Sequence, residues 1–212
     1  MKQLLTSLLL LVSTFFSFAQ EAFEAEKFKA ALFRTKTGAK LVYNGEMHSF
    51  TLQLEGKIEP TEAANFLTLN NNILQIMHVP FMSKQDFENM SIESQQKNLL
   101  GHMQYELDYF KEILKTKNLK ETAEFVTIND KLFLYWTYQM PKLKNKSDQK
   151  SVEKQAYWTT VCFDQILIIN RPLQKVKETE DAKEEIIKIA KTLVLNDFPI
   201  DLENLYNELN KE

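Results

Sequence analysis

Residues 131–140 read KLFLYWTYQM, and this stretch decides the fold. In an extended chain, successive side chains point to opposite faces. The large apolar side chains divide between these faces, with Leu132, Leu134, Trp136 and Tyr138 on one and Phe133 and Tyr135 on the other. Because both faces are apolar, both must be covered by other parts of the protein. The stretch therefore predicts a central strand of a sheet rather than an edge strand.

Turn signals elsewhere in the chain predict three antiparallel hairpins. Asn129-Asp130 precedes the central strand and Asp164-Gln165 follows it, and such residues favour tight turns. Asn44-Gly45 is the residue pair that prefers the two positive φ angles of a type I′ turn. The strands that these turns join are expected at Glu124–Ile128 and Leu132–Met140, at Ala156–Phe163 and Ile166–Asn170, and at Leu41–Tyr43 and Met47–Leu54.

Less regular segments lie between these hairpins. We expect Glu21–Phe33 to form a helix or an adhering arm, and Arg34–Lys40 to form a short basic loop. Pro60–Ala64 has the composition of a short helical start, whereas Ile73–Val79 is a further strand. The lysine-rich stretch Lys142–Lys154 contains almost nothing apolar, which predicts a mobile hairpin loop.

Three helices are predicted. Ser91 is a plausible N-cap for a long helix that reaches Leu114, with apolar residues at steps of three and four. Asp181 and Glu184 have the spacing of a capping box at the start of a second helix. A last short helix is expected from Asp201.

The order of elements is hairpin, strand, long helix, two hairpins and helix, which favours an α+β fold with an antiparallel sheet and helices on both faces. This order, from Leu41 to Asn196, resembles the Mog1/PsbP-like fold group, in which helices enclose an antiparallel sheet as an α/β/α sandwich. Members of the group include photosystem accessory subunits, a small-GTPase partner and envelope proteins. The resemblance implies a non-catalytic accessory or binding module, and no family motif transfers site residues to this chain.

The N-terminus predicts export. Residues 1–19 combine one lysine, an apolar run and the small residues Ser17 and Ala19, which are the features of a signal peptide cleaved before Gln20. A membrane anchor is the alternative, although the apolar run of about 15 residues is short of the roughly 20 that span a bilayer. We therefore expect no membrane span after cleavage and a periplasmic or secreted protein. The expected organisation is a signal peptide at 1–19, an N-terminal extension at 20–40 and a single α+β domain at 41–212.

Composition disfavours several classes of function. The formal net charge of -3 gives no general attraction for nucleic acid. With four glycines, the chain has no glycine-rich phosphate loop, dinucleotide fingerprint or nucleophile elbow. We expect no catalytic residues and no cofactor. The single Cys162 is expected to be a buried apolar residue, with a reactive thiol as the alternative.

Two sets of residues are candidates for a site. Trp136, Tyr138 and Trp158 lie on adjacent predicted strands and either line a ligand cleft or pack in the core. His48, His78 and His102 are the only histidines, and their wide spacing disfavours a metal site. We expect no bound metal.

The leading hypothesis is an exported, non-enzymatic accessory or binding domain of the bacterial cell envelope. Its partner is expected to be a protein or small molecule, bound at a sheet edge or an aromatic pocket. The first alternative is a hydrolase or metal-dependent enzyme with a site assembled from scattered histidines and carboxylates. The second is a carrier of a small molecule or lipid.

Overall fold

The computed structural model describes residues 25–63, 65–81, 86–87, 89–141 and 152–211. The predicted signal peptide and most of the lysine-rich loop lie outside these residues. The strands are β1 (Lys29–Thr35), β2 (Gly38–Asn44), β3 (Ser49–Glu55), β4 (Ile58–Pro60), β5 (Phe66–Leu69), β6 (Asn72–Pro80), β7 (Glu121–Ile128), β8 (Lys131–Gln139), β9 (Lys154–Cys162), β10 (Gln165–Leu173) and β11 (Val194–Asn196). The helices are α1 (Ile92–Ile113), α2 (Thr179–Ala190) and α3 (Leu202–Leu209).

The strands form two antiparallel sheets, where the sequence predicted one. The small sheet has the order β1-β2-β3-β11, and the large sheet has the order β4-β5-β6-β10-β9-β8-β7. The α+β class is confirmed, with strands as the dominant element. The stretch 131–140 forms β8, which lies between β7 and β9, so the prediction of a strand inside the sheet is confirmed.

Two hydrophobic cores cover the opposite faces of the large sheet. Leu134, Trp136 and Tyr138 of β8 pack with residues of α1 such as Leu99 and Leu107. The alternate residues of β8 point the other way. They pack with the buried faces of the small sheet and α2, in a core that includes Phe133, Tyr135, Phe50, Leu52 and Ile186.

The hairpin turns follow the sequence signals in part. Asn129 and Asp130 have φ angles of 48° and 60°, as a two-residue type I′ turn requires. Asn44-Gly45 does not form such a turn, because the β2–β3 loop has four residues and Gly45 N donates to His48 O at 2.9 Å. The β9–β10 turn lies one residue earlier than predicted, at Phe163 and Asp164, since Cys162 pairs with Gln165.

Two local predictions in the first half of the chain are wrong, and for a third the structure decides between two stated alternatives. Arg34–Lys40 is not a loop, because β1 continues to Thr35 and β2 begins at Gly38. Of the two alternatives for Glu21–Phe33, the described part contains no helix: residues 25–28 are irregular and bind the β2–β3 loop through Glu26, as an adhering arm does, and β1 begins at Lys29. Pro60 ends strand β4, and Thr61 Oγ donates to the carbonyls of Ala63 and Phe66, which holds a bend rather than a helical start.

The helices begin largely where expected. Ser91 caps α1 by accepting a hydrogen bond from Ser94 N at 3.2 Å, and Asp201 caps α3. The predicted capping box at Asp181 is wrong, because α2 begins at Thr179 and Asp181 lies in its first turn. A short 3₁₀ turn at Val176–Glu178 leads directly into α2 and provides this earlier start. None of the helices in the described ranges is long and apolar enough to cross a bilayer.

Candidate functional site

The predicted aromatic residues are part of the core. Trp136, Tyr138 and Trp158 are 0%, 1% and 0% exposed. Trp136 and Tyr138 face α1, whereas Trp158 points to the opposite face of the sheet. The interpretation of the three as lining one cleft is therefore corrected, because neighbouring strands place them on different faces and packed side chains cover both.

The three histidines do not converge. His48 and His78 are linked by two phenylalanine rings. Phe163 stacks on His48 and on Phe28. Phe28 in turn lies edge-on to His78, so the two histidines lie near each other. His102 lies on α1, against the other face of the large sheet, and burial lowers its pKa to about 4. Within the described ranges, no group of three or more His, Cys, Asp or Glu side chains is placed to hold a metal ion.

Cys162 is a core residue. It is 0% exposed and belongs to the core between the two sheets. Burial raises the pKa of its thiol to about 11, so the thiol is neutral at physiological pH. This environment matches the expected buried apolar residue rather than a reactive thiol.

The candidate binding surface is a groove between α1 and the β7–β8 hairpin. A cavity of about 510 Å³ opens there. Its wall combines apolar and polar side chains: Ile92, Gln95, Gln96, Phe125, Thr127, Asp130, Lys131 and Leu132. Ile92 and Phe125 are large apolar residues that remain exposed on this surface. The groove is therefore a concave, partly apolar surface of a size that accepts a side chain or a small ligand.

Strand β7 forms one wall of this groove and is the edge of the large sheet. It pairs with β8 over eight consecutive residues, and its outer side has no strand partner in the part of the chain that the structure describes. In an antiparallel edge strand, about half of the backbone N–H and C=O groups point away from the neighbouring strand. The outer side of β7 thus offers a row of unpaired backbone donors and acceptors beside the cavity.

The other sheet edges are less suited to accept a strand. The opposite edge of the large sheet, β4, has three residues and ends at Pro60, which has no N–H to donate. In the small sheet, β11 also has three residues, and α3 packs against β1. Short strands and prolines are the usual protection of sheet edges, and β7 has neither.

The two faces of β7 differ. On the α2 side, Glu124 forms an ion pair with Lys183, whose ammonium lies 5.0 Å from the ring centroid of Tyr135. A charge over an aromatic ring is held by a cation–π interaction, while Glu124 itself remains exposed. On the α1 side, Phe125 is 36% exposed and Thr127 faces the cavity. Phe125 and Thr127 are therefore the β7 residues that border the groove.

A second cleft, of about 500 Å³, lies between β3, the β5–β6 turn and α2. Its lining includes both acidic and basic side chains: Glu55, Asp181, Glu184, Glu185, Lys188 and Lys191. Because the two signs of charge are mixed, this cleft does not select an ionic ligand. It is a weaker candidate than the groove beside β7.

The sequence predicted the strand in β7 but not its position at the edge. The signal is present in its composition, because Glu121–Ile128 is more polar than the strands that follow it.

No family model matches the chain, and no curated protein and no solved structure shows significant similarity to it.

Proposed function

We propose that this protein is an exported, non-enzymatic accessory domain of the cell envelope that binds an extended segment of a partner protein along the edge of β7. The observation that carries the proposal is the unpaired eight-residue edge beside a cavity of about 510 Å³. The order of elements predicted from the sequence resembles that of the Mog1/PsbP-like group, and this resemblance implies the same class of function.

The chemistry of such binding is strand addition. An added strand gains main-chain hydrogen bonds from the edge, while every second side chain can enter a pocket at its side. Here the pocket adjoins Phe125 and Thr127 and has Ile92 and Leu132 in its wall. An apolar side chain of the partner fits this lining, and Gln95 and Gln96 supply polar contacts at its border.

The alternatives gain less support. A carrier needs a large apolar cavity, yet the indoles of Trp136 and Trp158 are fully buried among packed neighbours. A metal site built from the three histidines needs them to converge, but His102 lies on α1, on the other side of the large sheet from His48 and His78.

Site-specific photo-cross-linking tests the binding surface. A photoreactive amino acid at position 127, in the full chain expressed in its own cells, should give one discrete adduct whose partner mass spectrometry identifies. Phe125→Lys places a charge in the groove and should abolish the adduct. Tyr206→Lys, at a residue 58% exposed on α3, is the matched control and should leave it. An adduct that survives Phe125→Lys would contradict the proposal, as would the absence of any adduct.

Export is tested separately. The mass of the protein isolated from cells should correspond to a chain that begins at Gln20. A full-length chain retained in the cytoplasm would overturn the proposal of export and would leave the binding surface to be judged by the cross-links alone.

A further inference from the structure

The carboxylate of Glu26 sits in a cradle formed by the β2–β3 loop. Its Oε1 accepts hydrogen bonds from the backbone N–H groups of Met47, at 2.7 Å, and His48, at 3.0 Å. Its Oε2 lies 2.6 Å from His48 Nδ1. Only 6% of the Glu26 side chain and 14% of the His48 side chain are exposed. This arrangement of two backbone donors and an imidazole is specific for a carboxylate, because charge-assisted hydrogen bonds are the stronger ones.

The backbone of Glu26 is recognised as well. Its N–H donates to Asp164 Oδ2 at 2.8 Å, and its carbonyl accepts from Gln165 Nε2. The amide oxygen of Gln165 in turn contacts His78 Nδ1, which fixes the orientation of the amide. The β9–β10 turn therefore binds the backbone of Glu26, while the β2–β3 loop binds its carboxylate.

Two residues later, the ring of Phe28 enters an aromatic pocket. Its centroid lies 5.1 Å from that of Phe50, 5.6 Å from that of His78 and 6.4 Å from that of Phe163. The segment 26–28 is thus held by a carboxylate contact, two backbone contacts and an aromatic contact. These are the kinds of contact by which a binding site recognises an extended peptide.

Three features show that the site is shaped around this segment. A Cβ on Gly45 would lie 2.1 Å from Glu26 Oε1, so the absence of a side chain at this position makes room for the carboxylate. Phe163 has a φ angle of 55°, a costly conformation for a bulky residue, and its ring stacks on His48 at 4.2 Å. Asp164, which accepts from Glu26 N–H, is 7% exposed, and its buried Oδ1 has no hydrogen-bond partner among the described residues.

We propose that this cradle is a recognition site for an extended segment with a glutamate two residues before a phenylalanine. In the free protein, residues 26–28 occupy the site. A partner's segment of the same chemistry displaces them and binds in their place. The proposal is independent of the groove beside β7. A partner's segment has contacts available beyond those of residues 26–28. Met47 and Phe198 flank the cradle, and each is 62% exposed. Met47 provides one of the backbone donors of the cradle. Phe198 lies beside the end of the β2–β3 loop, where its carbonyl accepts a hydrogen bond from Ser49 Oγ at 2.8 Å.

The first experiment empties the cradle. The full chain with Glu26→Ala and Phe28→Ala is titrated into a fluorescein-labelled, terminally blocked peptide of residues 24–30, and binding is followed by fluorescence anisotropy. We expect saturable binding of one peptide per chain. A peptide with Gln at position 26 should bind at least about tenfold more weakly, because it loses the charge-assisted hydrogen bonds. Adding Gly45→Ala to the emptied chain should weaken binding to a similar extent.

The second experiment uses an otherwise unaltered chain. Because Cys162 is buried, a cysteine introduced by Ala25→Cys can be labelled selectively with an environment-sensitive dye. The tethered segment acts at an effective concentration on the order of millimolar, so the free peptide should displace it at about that concentration. The Gln-bearing peptide should not.

Three results would overturn the proposal. One is the absence of peptide binding to an emptied chain that circular dichroism shows to be folded. Another is equal binding of the glutamate and glutamine peptides. The third is a labelled segment that about 10 mM peptide cannot displace, and this result stands even if the emptied chain does not fold.

Discussion

Trp136 stacks on Tyr157 across strands β8 and β9, with ring centroids 4.0 Å apart and ring planes 6° apart. The two residues are direct partners in the strand register, and their rings lie under α1. Tyr138 continues the stack, with its centroid 6.2 Å from Trp136 and 6.1 Å from Tyr157. Aromatic side chains at adjacent positions of two hairpins thus fill the core that the long helix covers.

Trp136→Ala should therefore unfold more easily than the unaltered chain. Removing a fully buried indole costs about 3–5 kcal/mol of the free energy of unfolding, through lost burial and the cavity left behind. The measurement is equilibrium unfolding in urea, followed by circular dichroism. Phe198→Ala is the control, because Phe198 is a large aromatic residue at the surface and its loss should cost less than about 0.5 kcal/mol. Equal losses in the two variants would contradict the core assignment of Trp136.

The period of apolar side chains predicted those strands whose buried face is set by a few consecutive residues. Phe50, Leu52 and Leu54 alternate along the predicted strand Met47–Leu54, and all three are 0% exposed in β3. The same reasoning applied to residues 131–140 predicted the two faces of β8 correctly. A side-chain period of two is a local property of the chain, so it is visible without knowledge of the partner strands.

Predictions failed where a distant contact decides the local structure. Gly38 lies in a strand because it pairs with Glu55 of β3, and a Cβ there would be 1.9 Å from Leu54 O, a residue 16 positions later that the sequence does not mark as its neighbour. The Asn44-Gly45 signal for a type I′ turn gives way to a four-residue loop that binds the carboxylate of Glu26, 18 positions before Asn44. The cradle was missed for the same reason: its contributors come from four separate parts of the chain.

Two glycines in different surroundings should respond oppositely to alanine. Gly101 lies inside α1 with open space where a Cβ would be, so Gly101→Ala should stabilise the protein by about 0.5–1 kcal/mol through helix propensity. Gly38→Ala places a Cβ against the backbone of β3 and should destabilise it. Thermal unfolding of both variants is the measurement. A stabilising Gly38→Ala substitution would show that β2 does not lie against β3 as described.

The ion pair between Arg171 and Glu185 joins β10 to α2. The closest oxygen and nitrogen atoms are 2.7 Å apart, and the side chains are 8% and 20% exposed. Arg171→Leu leaves the Glu185 carboxylate buried without its partner and should cost about 3–5 kcal/mol. The double variant Arg171→Leu with Glu185→Leu should recover much of this loss, because no unpaired charge remains. Unfolding in urea at pH 7 compares the two, and a double variant less stable than the single one would contradict this account.

The pH dependence of the Arg171→Leu variant follows from the pKa of Glu185. Burial raises this pKa, and the charges of Arg171 and Lys188 oppose the rise. A carboxyl whose pKa is raised by folding favours the native state at low pH, and this contribution is lost as the pH rises through the folded pKa. Arg171→Leu removes one opposing charge, so its loss of stability should be larger at pH 7 than at pH 5. A loss that does not change between these pH values would show that Glu185 is not desolvated.

Glu26→Gln should have the opposite pH dependence. Burial acts to raise the pKa of the Glu26 carboxyl, but the hydrogen bonds from Met47 and His48 and the charge of His48 outweigh it, so the net pKa is lowered. The stabilisation is therefore present above the ordinary glutamate pKa and is lost as the pH falls through the lowered value. At pH 7 the variant should be less stable by about 1.5–3 kcal/mol, the range for hydrogen bonds to a charged group.

Urea unfolding from pH 7 to pH 3 measures this difference in stability, which should shrink at the acid end. The control Glu203→Gln, at an exposed residue, should stay close to the unaltered chain at each pH. A difference that persists unchanged at pH 3 would mean that the carboxylate charge does not hold the N-terminal segment, and the stabilisation would then come from the neutral contacts of the β9–β10 turn and Phe28.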